Sequence, residues 1–358
     1  ALDRLSKVTD PNGLPTSYRY NGFGEQTRLD SRDTGITNFE YDSAGNRVKQ
    51  IDANSKTTNY AHDGLNRITA MQYPQDSSLN VTYEYDVAQS DCTAGETFLV
   101  GRLSRMTNHS DDSTTYCYNR FGDMTRKVQR TQGKTFSLQW SYATNGRLQT
   151  MTYPDGSVVD YLYDSQGRVV ELGVAISERA GSRRQLLRNA SYHPFGPVAK
   201  WTYGSGRVMQ RTLNRSGQPG IVQMQDQNDQ PIPGLSLGYE FDEVGNLKVL
   251  RNGNQTNPPQ RNYEHDRLNR LTKAEDAQLV VWQSYSYDKT GNRMASGQRE
   301  TVNTQDCSGV PPGEPCIPGP TTTQWTTRTY GYLPNEHRVS TIGNTERRYD
   351  PNGNTVWI

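Results

Sequence analysis

The sequence Tyr41-Asp42-Ser43-Ala44-Gly45-Asn46-Arg47-Val48 returns in altered form along almost the whole chain, and that recurrence restricts the fold more than any other feature. The nearest copies are Tyr163-Asp164-Ser165-Gln166-Gly167-Arg168-Val169, Phe241-Asp242-Glu243-Val244-Gly245-Asn246-Leu247, Tyr287-Asp288-Lys289-Thr290-Gly291-Asn292-Arg293 and Tyr349-Asp350-Pro351-Asn352-Gly353-Asn354. Weaker copies begin at Tyr20, Tyr60, Tyr85, Tyr118, Tyr142, Tyr192, Tyr263 and Tyr332. Gly24 to Gly45, Gly146 to Gly167 and Gly196 to Gly217 are each steps of 21 residues. A period in this range belongs to stacked architectures, in which a unit buries its apolar face only against its neighbours and does not fold alone.

Each unit reads as strand, tight turn, strand: an aromatic residue, a polar turn closed by Gly, then a polar and an aliphatic residue. The repeat-defining pairs are Tyr41/Gly45, Tyr163/Gly167, Phe241/Gly245, Tyr287/Gly291 and Tyr349/Gly353. Between motifs lie further reversals such as Pro154-Asp155-Gly156, where Pro presets φ and Gly accepts the positive φ of a turn. The fold class is therefore all-β, a ribbon of short antiparallel hairpins in one curved sheet, with motif glycines at turns and motif tyrosines stacked between successive windings.

The apolar residues after each turn fall three apart, as in Val48/Ile51, Ile68/Met71, Leu103/Met106, Leu148/Met151 and Val169/Leu172. Strict alternation puts such a pair on opposite faces. A helix would accept the spacing, but the Thr-, Tyr- and Asn-rich context with frequent Gly and Pro argues against one. Either each repeat contains a bulge, or the strand is buried on both faces.

Composition fits a shell better than a solid globule: only 32% of residues are hydrophobic, while 22 tyrosines supply amphipathic area whose hydroxyls tolerate water. The repeat phase runs through without a linker, so residues 1–358 read as a single domain, with insertions near 87–101, 173–190 and 303–325. The chain starts and stops inside repeats, from which it is expected to be a piece of a longer polypeptide whose adjoining parts are its first partners. A net charge of +1 argues against a dedicated nucleic-acid surface. The local cluster Arg179, Arg183, Arg184 and Arg188 reads as the solvated tip of an extended hairpin. No segment is long and apolar enough to span a membrane, and Ala1-Leu2-Asp3-Arg4 is no signal peptide.

The four cysteines form two sequence-local pairs, Cys92 with Cys117 and Cys307 with Cys316, each involving an insertion. Disulfides, free thiols and, last, a metal are the alternatives; disulfides place the chain in a secreted or cell-surface setting. No catalytic constellation emerges. His62, His193 and His265 recur just after the repeat tyrosine, which favours a structural role, and His109 and His337 are isolated. The motif Asp reads as a turn-former, the spacing of a calcium loop is missing, and no cofactor is expected. Asn80, Asn108, Asn189, Asn214 and Asn254 open Asn-x-Ser/Thr sequons, which matter only where the source glycosylates secreted proteins.

The Tyr-Asp-x-x-Gly-Asn-Arg-aliphatic motif at this period resembles the YD repeat of the RHS (rearrangement hot spot) family, over about the whole chain. That family includes bacterial polymorphic toxins, the B and C subunits of insecticidal toxin complexes, cell-wall-associated proteins and the animal teneurins. The resemblance implies a hairpin ribbon spiralling into a hollow shell that in the bacterial toxins encloses a C-terminal effector. The toxins' autoproteolytic Asp-Pro-x-Gly-Leu segment has a literal match at Asp10-Pro11-Asn12-Gly13-Leu14, but at the opposite end and inside an ordinary repeat; Asp350-Pro351-Asn352-Gly353-Asn354 lacks the Leu. No protease role is carried onto either. Two classes follow: a non-enzymatic encapsulating shell of a secreted toxin or effector, and an extracellular module that binds glycan or a partner protein. For the second, Trp140, Trp201, Trp282, Trp325 and Trp357 would offer sugar-stacking surface, though scattered tryptophans more often serve packing.

Overall fold

The computed structural model describes residues 3–110, 112–177, 182–253, 256–306 and 317–357, the side chains of 301–322 apart. Among them 28 strands form one sheet, followed by the small hairpin Arg348–Tyr349/Thr355–Trp357; the only helical turn is the 3-10 segment Ser77–Leu79. Every strand pairs antiparallel with its sequence neighbours, from Lys7–Thr9 against Pro15–Tyr20 to Val339–Ile342 against Thr345–Glu346. The result is a meander whose long sides are rows of turns, the motif turns along one side and the turns between motifs, here called return turns, along the other.

A bulge follows each motif turn. Tyr142 pairs with Leu148 but Ser141 with Thr150, leaving Gln149 without an opposite number; Val170 and Met294 are left over in the same way after Tyr163 and Tyr287. The extra residue accounts for the spacing of three. Leu148 and Met151 face Tyr142 and Trp140, Val169 and Leu172 face Tyr163 and Tyr161, and Ile68 and Met71 face His62 and Tyr60. Both members thus lie on one face of the sheet. Val48/Ile51 is the exception, because Val48 is itself the bulged residue.

That face is lined by aromatic pairs two apart, such as Phe39/Tyr41, Tyr83/Tyr85 and Tyr285/Tyr287, and the opposite face is charged. On the charged face Lys49 meets Glu40, Arg251 meets Glu240, Lys273 bridges Glu264 and Glu275, and Arg183 bridges Asp160 and Glu171. Arg183 is therefore a cross-strand pairing residue at the start of the strand Arg183–Tyr192 and no part of a free basic tip; Arg179 lies outside the described residues.

The ribbon buries little. Only Phe39, Leu99, Cys117, Val128, Val208, Val249 and Ala274 are buried hydrophobic residues among those described. The accessible surface is 22529 Å², whereas a compact globule of this mass exposes about 14,500 Å². A one-layer, hollow spiral explains the excess.

The densest packing lies under the insertion after Tyr85. Residues 86–101 fold back over the strands Ser113–Tyr118 and Met124–Thr131. The lobe is pinned by the Cys92–Cys117 disulfide, by fully buried Leu99, and by the ion pairs Glu96–Arg126 and Asp91–Arg130. Cys307 and Cys316 lie outside the described residues.

Candidate functional site

The repeated chemistry is concentrated in the turns. In the first good copy, the Asp42 N–H donates to Asn46 O (2.9 Å) and the Gly45 N–H to Asp42 O (3.2 Å). Asp42 Oδ1 accepts from the N–H groups of Ala44 and Asn46, both at 2.9 Å, and Oδ2 from Asn46 Nδ2 at 3.0 Å. The motif Asp thus completes its own loop, and the bonds from Asn46 hold its carboxyl below the usual range. Gly45 sits at φ 85°, which a side chain disfavours; Asn66 and Asn269, each at φ 62°, serve the same position elsewhere.

Where Arg stands four residues after the Asp, the turn reaches its neighbour. Arg67, Arg168 and Arg270 donate through Nε to Asp63, Asp164 and Asp266 at 2.7, 2.8 and 2.6 Å. So held, each guanidinium lies over the aromatic ring of the next repeat, at 4.4 Å from Tyr85, 4.6 Å from Tyr192 and 4.7 Å from Tyr287. The motif tyrosines make the reciprocal connection. Tyr41, Tyr85, Tyr142, Tyr163, Tyr192 and Tyr287 donate their hydroxyl protons to the carbonyls of Gln26, Ile68, Met124, Leu148, Val169 and Leu271, at 2.6–2.9 Å. Each acceptor is the residue paired with the preceding motif aromatic or its substitute. The tyrosines therefore join successive hairpins of one winding. This corrects the expectation that they stack between windings: the adjacent hairpin is strand-spacing away, within reach of a phenol.

Windings meet through turn tips instead. The ribbon returns on itself after 276–304 residues, with motif turns of its last part seated on return turns of its first. Asn12 Nδ2 donates to Asp288 Oδ2 (2.8 Å) and Thr290 Oγ1 (3.0 Å). The Ala53 N–H donates to Asn352 Oδ1 (2.8 Å), Asn352 Nδ2 to Asp52 (2.7 Å), and Asn54 Nδ2 to Asp350 (2.9 Å). Between these two contacts His337 lies against Asp10 and Asp33. The approach is close: a Cβ on Gly353 would stand 2.6 Å from Asp33 O, and one on Gly35 2.8 Å from Pro351 O. Burial alone would raise the Asp288 carboxyl, but the bonds from Asn12, Asn292 and Thr290 outweigh it and hold the group far below its ordinary value.

The seam was not legible in the sequence. Asn12, Asn54 and Asn352 look like ordinary turn residues, and His337 looks isolated, because its partners lie 304 and more residues away. The other histidines are reassigned by register. His62 and His265 pair with Ile68 and Leu271 and so occupy the motif-tyrosine position itself. His193 takes the motif-Asp position, its N–H donating to Pro197 O and its Nε2 lying 2.9 Å from Arg211 O. Asp10 closes its own return turn, accepting from the Leu14 N–H at 2.8 Å.

The RHS Repeat family profile matches residues 1–36, 41–78 and 142–175. Double-stranded DNA deaminase toxin A of Burkholderia cenocepacia (strain H111) is 26% identical over 247 residues, covering 67% of this chain and 15% of the toxin. Two solved structures share the fold. The complex TcdB2-TccC3-Cdc42 matches with a TM-score of 0.62 at 15% identity, over 94% of this chain and 17% of that one. The Photorhabdus luminescens Tc holotoxin pore with mutation TccC3-D651A matches with a TM-score of 0.62 at 16% identity, over 97% and 17%. The chain thus spans about a sixth of the length of these proteins.

Proposed function

We propose that this chain, in which RHS repeats are recognised at 1–36, 41–78 and 142–175, is one domain of a longer polypeptide of the RHS/YD-repeat family and a segment of the shell that encloses a toxin or effector portion of the same protein. The observation that carries the reading is the one-layer ribbon that returns on itself, with far more surface than a solid globule of its mass. Its repeated side chains serve construction: Asp closes each turn, Tyr and Arg tie hairpin to hairpin, and Asn ties winding to winding. Such a wall works by enclosure and carries no catalytic step of its own. The Cys92–Cys117 disulfide supports a secreted, oxidising setting.

The test has two arms. The purified chain is assayed for hydrolase, nuclease and deaminase turnover, and a co-expressed adjoining segment is assayed for resistance to protease in its presence. Protection without turnover is the expected outcome. Turnover abolished by a single Asp, His or Ser substitution would overturn the non-enzyme reading, and absence of protection alongside saturable glycan binding would replace the shell by a recognition module.

A further inference from the structure

His337 is set apart from the rest of the seam by its donors. It lies on the motif turn 333–338 of the returning winding, its side chain 27% exposed. Its backbone N–H donates to Asp33 Oδ1 at 2.6 Å, and Nδ1 is 2.8 Å from Asp33 Oδ2. On the other side of the ring, Nε2 is 2.5 Å from Asp10 Oδ2, a charge contact without the angle of a directed hydrogen bond. A neutral imidazole carries one N–H. In either tautomer the second nitrogen would turn a lone pair toward a carboxylate oxygen, so only the imidazolium suits both partners.

The other charged groups at this point do not replace it. Glu336, on the same turn, is engaged by Arg338 at 2.6 Å, and Arg338 Nη1 donates to the Asp350 carbonyl at 3.1 Å. Asp350 itself is held by Asn54 and Asn354, and Asp10 accepts from Leu14. The remaining seam contacts described above use amide donors, which do not titrate.

We propose that His337 is a proton-operated latch on the winding seam: the imidazolium bridges Asp10 and Asp33 and closes it, and loss of its proton releases the turn 333–338 from the first winding. The hydrogen bond to Asp33 raises the His337 pKa, partial burial opposes this, and the charges of Asp33 and Asp10 add to the rise. A raised value means that closure is complete below the ordinary histidine pKa and is lost as pH increases through the folded one. The turn 333–338 is therefore released on the alkaline side, while the amide-held contacts at Asn12, Asn54 and Asn352 persist. That an enclosed chain is then released rests on the shell reading above; the latch itself does not.

Hydrogen exchange of the amides in 31–35 and 333–338, corrected for intrinsic rates, tests the latch in the whole chain from about pH 6 to pH 9, the range that brackets a raised histidine. Wild type is expected to lose protection about tenfold or more across that range. His337→Gln should be open throughout, His337→Arg closed throughout, and Asp10→Asn should move the midpoint to lower pH. Exchange at the hairpin Thr150–Asp160, remote from the seam, serves as the folding control. Protection in wild type that does not change with pH, or a His337→Gln profile that follows wild type, would overturn the latch whether or not the chain encloses anything.

Discussion

Replacing Cys92 by Ser isolates what the disulfide does for the lobe at 86–101. The bridge spans 25 residues, and closing a loop of that size removes chain entropy worth about 3.5 kcal/mol from the undocked state. Noncovalent ties remain: Leu99 stays buried, Glu96 and Asp91 keep their arginines, and the lobe's one ladder contact, Thr97 beside Tyr118, persists. The substitution should therefore leave the ribbon folded and make lobe opening more frequent by about two and a half orders of magnitude. The amides of Phe98 and Tyr118, which bond Tyr118 O at 3.2 Å and Glu96 O at 3.0 Å, report that opening directly by hydrogen exchange. Cys92 is the better site because Cys117 is fully buried, where a hydroxyl would bring a cost of its own. Unchanged protection at both amides would refute the argument and show that the ion pairs and Leu99 hold the lobe unaided.

Tyr163→Phe removes the donor to Leu148 O at 2.7 Å, and hydrogen exchange in the strand Leu148–Thr152 should show a local loss of about 1 kcal/mol. Leu279, 65% exposed at φ 60°, pays little in packing for its left-handed conformation, so Leu279→Gly should stabilise its return turn by about 0.5–1 kcal/mol in the same experiment. Asp86, which accepts from Arg67 and then from the Gly101 N–H, is held down to about 2. A depressed carboxyl contributes stability above its ordinary value that is lost as pH falls; lobe protection should thus hold at pH 4 and fall toward about pH 2, and Asp86→Asn should make that acid step smaller, leaving the share carried by Asp91 and Glu96, whose carboxyls are also held low.

What the sequence disclosed was what lies within a few residues of itself. The motif turn is closed by bonds between positions two and four apart, so Asp42, Gly45 and Asn46 declare their conformation locally. The bulge was visible in the spacing of Leu148 and Met151 as one of two alternatives, and register decided between them. Neither the aromatic position of His62 nor the bulge at Val48 was legible, because both depend on which residue stands opposite. The seam was invisible for a stronger reason. Its contacts join residues nearly a whole winding apart and use Asn, Asp and Thr, the same residue types that every turn of this chain already employs.

The spacing along the two sides of the seam shows what the winding counts. On the first winding the return turns that take part begin at Asp10, Ser31 and Asp52, at even intervals of 21 residues. The motif turns opposite them begin at Asp288, Leu333 and Asp350, at intervals of 45 and 17. The surplus is absorbed sideways, in the hairpin Arg293–Asp306/Ile317–Tyr332, whose strands run to 14 and 16 residues. Alignment across the seam is thus kept in hairpins and not in residues. Lengthening an arm leaves Asn12 opposite Asp288, whereas adding or deleting one complete hairpin between them would bring a different turn to Asn12. Over evolutionary time such a ribbon can accept insertions of almost any length within a hairpin, while the number of hairpins in a circuit stays fixed.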